Sequence, residues 1–75
     1  MKINYPKTIL NLRLKLNISQ EELARILGVS FSSVNRWETG KYKPTKLAKV
    51  KLEHLFAEYE VMIEVKENAE NCYSF

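Results

Sequence analysis

Apolar positions in this chain recur at helical spacing in four places and at alternating spacing in two. The clearest stretch runs from Ser19 to Gly40, SQEELARILGVSFSSVNRWETG. Leu23, Ala24 and Leu27 fall at i, i+1 and i+4 and share one helical face. Ser19 and Glu22 form an S-x-x-E capping box ahead of them, which starts a helix at Gln20. Gly28 follows, the residue best able to leave a helix through a positive φ. Ser30 can cap another helix, which runs to about Glu38, points Val34 and Trp37 inward and ends at Gly40. Two short helices this close cannot lie antiparallel. They cross steeply, and Ala24 is small enough to let the second approach the first.

The flanking segments pose a conflict of periods. A first helix is expected after Pro6, which suits a first turn, ending near Leu16 or Asn17. Yet Leu10, Leu12, Leu14, Leu16 and Ile18 alternate with polar residues, a strand pattern. A helix is the better reading, because Leu23 and Leu27 need a helical partner. Ile9, Leu12, Arg13 and Leu16 then share one face, and Leu10 and Leu14 form a second stripe that something must cover. A fourth helix opens near Pro44–Thr45, and Leu47, Ala48, Lys51, Leu52, Leu55, Phe56 and Tyr59 keep its 3.6 spacing. Tyr59, Val61, Ile63 and Val65 alternate with Glu60, Met62, Glu64 and Lys66, so the helix is expected to stop near Glu58 with an extended segment after it. Residues Glu67 to Phe75 read as a polar, frayed end. Residues 1–58 thus read as one domain and 59–75 as a tail.

Size and charge narrow the function. Seventy-five residues make one small domain near the lower limit for an unstapled core, so pairing with a second copy would help it. The single cysteine, Cys72, allows no internal disulfide and fits a reducing cytoplasm. No apolar run reaches the ~20 residues of a membrane span, and no signal peptide is expected. The net charge is +3, unevenly spread: residues 1–57 carry eleven Lys/Arg against four Glu, and residues 58–75 one Lys against five Glu. Arg36, Lys41, Lys43, Lys46, Lys49 and Lys51 make a dense basic stretch that suits a polyanion.

The steeply crossed helix pair is a helix-turn-helix, whose usual use is to place its second helix in a DNA major groove. SQEELA, then LGVS, then V-x-R-W-E-x-G, then a proline and a leucine-rich helix resemble the Cro/C1-type helix-turn-helix family over roughly residues 8–58. The resemblance implies a mainly α fold, a small four- or five-helix bundle of the lambda-repressor-like type. It also implies site residues. Phe31, Ser32 and Arg36 fall where family members touch base edges, with Asn35 close by. Arginine can fork onto guanine and asparagine onto adenine, and serine bonds either class. Phe31 departs from the polar residues usual there, and either meets a thymine methyl or folds back over the second helix. Ser19 and Gln20 fall at the phosphate-binding start of the second helix. Ser33, Thr39, Lys41, Tyr42, Lys43 and Lys46 line the sugar-phosphate backbone by resemblance, which positions without specifying sequence. Lys49 and Lys51 are expected to be solvated. Arg13 and Glu38 occupy positions that the family pairs as a partly buried ion pair.

The expectation is therefore a cytoplasmic, sequence-specific binder of double-stranded DNA, a transcriptional regulator acting as a homodimer and a repressor more than an activator. The Leu10/Leu14 stripe and the Tyr59–Val65 segment are candidates for the dimer contact, or for covering each other. A second class is an interaction module, such as an antitoxin-like subunit whose acidic tail binds a partner. Met1 and the irregular end favour a free-standing chain over a module of a larger protein. An enzyme has nothing to stand on: His54 is the only histidine, Cys72 is far from it, and there is no phosphate-binding glycine loop. No metal, cofactor or small-molecule effector is expected.

Overall fold

Helix starts in this protein are decided by short polar side chains. In the structure, a computed structural model that describes residues 3–65, Asn4 caps α1 (Tyr5–Leu16) and Ser19 caps α2 (Gln20–Leu27). Ser30 caps α3 (Phe31–Thr39) and Thr45 caps α4 (Lys46–Glu58). Each cap accepts a backbone N–H three residues on, which satisfies one of the donors a helix start leaves free. At Ser19 the capping box is complete, because Glu22 also accepts the Ser19 N–H at 2.8 Å. Gly28 (φ 74°) and Gly40 (φ 82°) end α2 and α3 in the left-handed region, where a Cβ would be strained. Asn17 ends α1 in the same conformation. The first helix begins slightly earlier than Pro6 alone suggested, because Asn4 supplies the cap.

α3 packs on both α1 and α2, and α4 closes the bundle against α1 and α2. Ile9, Leu12, Leu23, Leu27, Val34, Leu52 and Phe56 are fully buried at the centre, with Ala24, Trp37, Ala48 and Val61 nearly so. Each large side chain of this set stabilises the fold by roughly 1.5–3 kcal/mol through removal from water. The alternating leucines of α1 resolve as a helix: Leu12 is core, whereas Leu14 is 69 % exposed. Leu47 also turns outward, because the stripe Ala48, Leu52 and Phe56 is all that α4 buries.

Beyond α4 the chain turns back over α1. Glu60 takes a positive φ of 53°, Val61 donates to the Phe56 carbonyl at 2.8 Å, and the Val61 side chain drops into the core. Residues 61–65 then run along α1 as a strap. Asn11 Nδ2 donates to the Met62 carbonyl, Glu64 N–H donates to Thr8 Oγ1, and Asn4 N–H donates to the Glu64 carbonyl at 2.7 Å. Thr8 is fully buried and closes the cluster by donating to the Asn4 carbonyl. Ile3 and Val65 form an isolated antiparallel bridge, and among the described residues no strand extends from it. The expected frayed end, with Cys72, lies outside the described residues, as does the far part of the acidic tail.

Two lysines expected to be solvated have partners. Lys51 Nζ donates to the Leu27 carbonyl at 3.1 Å and so caps the end of α2 from α4. Lys49 Nζ lies over the Tyr5 ring, 5.6 Å from its centroid. Tyr5 in turn donates to Glu53 Oε2 at 2.8 Å. Burial first, and this carboxylate second, push the Tyr5 hydroxyl up to about 12.

Candidate nucleic-acid interface

α3 has only nine residues, and its two faces do different work. Val34 and Trp37 lie three apart and enter the core. Phe31, Ser32, Asn35 and Arg36 occupy the opposite, exposed side. Phe31 is 47 % exposed. Ser33 is turned toward the helix start, its hydroxyl 3.0 Å from that of the Ser30 cap.

A single carboxylate holds this helix to its neighbours. Glu38 accepts from Arg13 Nε at 2.6 Å and from Arg13 Nη2 at 2.9 Å, a two-point grip that fixes both planes. Glu38 Oε1 also accepts from Gln20 Nε2 at 3.0 Å. Arg13 Nη1 donates to the Ile18 carbonyl in the turn before α2. One acidic group therefore ties α1, α2 and α3 together. The hydrogen bonds to Glu38 hold the Arg13 proton more firmly than usual, against the opposing effect of partial burial, and the carboxylate's charge adds to the hold.

The end of α3 folds over Arg36. The Arg36 carbonyl accepts from Lys41 N–H, Tyr42 N–H and the Thr39 hydroxyl. This wrap brings the Tyr42 ring to 5.2 Å from the Arg36 guanidinium carbon. Lys41, Lys43 and Lys46 stand exposed along the same loop and the start of α4. At the start of α2, Ser19 spends its hydroxyl on the cap and Gln20 turns its amide toward Glu38. Glu21 and Glu22 sit in that first turn, so the helix end already faces two carboxylates.

A family model for helix-turn-helix proteins matches residues 9–57, from within α1 to the last turn of α4. The chain belongs to the Cro/C1-type helix-turn-helix family. Membership makes it, in general terms, a DNA-binding transcriptional regulator. No curated protein and no solved structure matches the chain. Among the described residues no helix is long and apolar enough to cross a membrane.

In this helix-turn-helix protein the structure brings Phe31, Ser32, Asn35 and Arg36 onto one face and sets Lys41, Tyr42, Lys43 and Lys46 beside its end. It places Ser19 and Gln20 at the start of α2 with their side chains already engaged, leaving backbone N–H groups as the donors there. Two contacts of the site escaped sequence reading. Tyr42 against Arg36 spans a glycine-broken turn whose course no period describes. Gln20 on Glu38 needs the crossing angle of two helices. A polar residue inside a positive-φ turn is the weak signal that could have drawn attention to the first.

Proposed function

We propose that the protein reads a specific double-stranded DNA sequence with α3 in the major groove, and that it regulates transcription as a homodimer, acting as a repressor by occupying a promoter. The observation that carries this reading is the division of α3. Its inner face and Glu38 are committed to the bundle, while Phe31, Ser32, Asn35 and Arg36 face solvent. On this reading Arg36 forks onto a guanine, Asn35 onto an adenine, Ser32 bonds either, and Phe31 meets a thymine methyl. Ser33, Thr39, Lys41, Tyr42, Lys43 and Lys46, with the α2 start at Ser19 and Gln20, follow the backbone. Two copies would present their α3 helices about one DNA turn apart, ~34 Å, to a near-palindromic site.

Selection of bound sequences from random duplex DNA, with salt titration of the winners, tests this. A motif of two related half-sites about one turn apart is expected, and a steep loss of affinity with salt. Enrichment of no sequence over the starting pool would reject the reading.

A further inference from the structure

The two arginines nearest α3 are held in different ways. Arg13 gives its N–H donors to Glu38 and to the Ile18 carbonyl, so its edge is in use. Arg36 instead meets the Tyr42 ring, with its guanidinium carbon 5.2 Å from the ring centroid. A guanidinium carries five N–H donors around its edge and none on its faces. A carboxylate grips that edge. An aromatic ring attracts the face through its quadrupole and leaves the edge free. Among the described residues no protein group accepts a hydrogen bond from the Arg36 guanidinium. Glu38, the nearest acid in sequence, is taken by Arg13 and Gln20.

The ring is itself held in place. Gly40 leaves α3 at φ 82°, which turns the chain back along the helix end. Lys41 N–H and Tyr42 N–H then donate to the Arg36 carbonyl at 3.0 and 3.4 Å. Pro44, just beyond, is buried. Tyr42 therefore stands on a short arch pinned at both ends, while the residue stays 60 % exposed.

We infer that Tyr42 is a specificity-determining positioning residue. Its ring holds the Arg36 guanidinium by one face and leaves the edge donors for O6 and N7 of a guanine. The inference rests on the DNA reading above and deepens it: the hydroxyl follows the sugar-phosphate backbone, and the ring acts through Arg36. A loose arginine gives up most of its rotamers to make a two-point bond, and that loss subtracts from its power to discriminate. An arginine already held by its face loses less. The hold of a ring on an exposed cation corresponds to a factor of about two to five. That factor falls on the base pair Arg36 reads and on no other.

Binding of the full chain to the selected motif, and to duplexes changed at single base pairs, tests this. Arg36→Ala locates the base pair. Tyr42→Leu is expected to cut the guanine preference there about two- to fivefold, with preferences elsewhere and thermal unfolding unchanged. Tyr42→Phe keeps the ring and is expected to keep the full preference, while weakening all sequences alike through the lost hydroxyl. In the Arg36→Ala background, Tyr42→Leu should change no base preference. In the free protein, the Arg36 side-chain protons are expected to show an upfield ring-current shift in NMR spectra that Tyr42→Leu abolishes. Should Tyr42→Leu fail to fold, Tyr42→Gln carries the same comparisons. A preference that survives loss of the ring overturns the inference. So does a Tyr42→Phe variant that loses as much preference as Tyr42→Leu, an equal effect without Arg36, or the absence of the ring-current shift. A motif still selected but indifferent to Tyr42→Leu rejects this inference and leaves the DNA reading standing. Selection of no sequence at all rejects both.

Discussion

The inner and outer faces of α3 carry similar polar residues under opposite conditions. On the inner side, Glu38 has three donors around it and is mostly enclosed, with its side chain 10 % exposed. On the outer side, Asn35 and Arg36 stand in solvent, and the one side-chain contact described for Arg36 is the Tyr42 ring. The difference teaches that charge alone does not mark a binding residue in a basic protein. Charges whose hydrogen bonds are met inside the fold serve as scaffold. Charges left with unmet donors at an exposed helix face are available to a ligand.

The contrast breaks most visibly at Glu38. Glu38→Ala strands Arg13 and Gln20 and is expected to cost about 3 kcal/mol of stability in thermal or urea unfolding. Adding Arg13→Met to Glu38→Leu should recover most of that loss, because no enclosed charge is then left unpaired. If the single and double variants are equally unstable, the carboxylate is not the tie described above. Arg36→Ala should do the opposite: little change in unfolding, with about 1–3 kcal/mol of discrimination lost at one base pair of the selected motif. An unchanged motif would remove Arg36 from base reading. Lys43→Ala is expected to weaken all duplex sequences alike and to flatten the log–log salt slope by roughly one unit. A sequence-dependent loss would move Lys43 to the reading face.

The smallest effect concerns a scaffold contact distant from α3. The Tyr5 hydroxyl is held up to about 12, above its ordinary value of 10.0, so folding favours its neutral form. Its contribution to stability is therefore complete below pH 10 and is lost as pH climbs from about 10 toward 12. Tyr5→Phe should flatten the alkaline limb of a stability–pH curve over that window. Equal alkaline limbs would show that the Tyr5–Glu53 contact is not felt.

Much of the helical layout is legible in the chain because its signals are local. Ser19, Ser30, Gly28 and Gly40 act within three or four residues of where they stand, and their meaning survives in isolation. The alternating leucines of α1 and the row from Leu47 to Tyr59 were harder. A period tells which residues share a face but not how wide a face the neighbours will cover. Leu14 and Leu47 fell outside the covered width. The lysines were less legible still, since Lys51 and Lys49 find a carbonyl and a ring on elements 24 and 44 positions away.

What the sequence determined by itself was where most of the helices begin and end, the pairing of α2 with α3 across one short turn, and which residue types stand on α3. Those follow from backbone hydrogen bonding and side-chain spacing over a single turn. The tertiary structure alone decided that Glu38 ties three helices, that Tyr42 lies over Arg36, and that the chain after Glu60 returns to α1. These are contacts between residues distant in the chain, and their geometry is fixed only when the whole core closes.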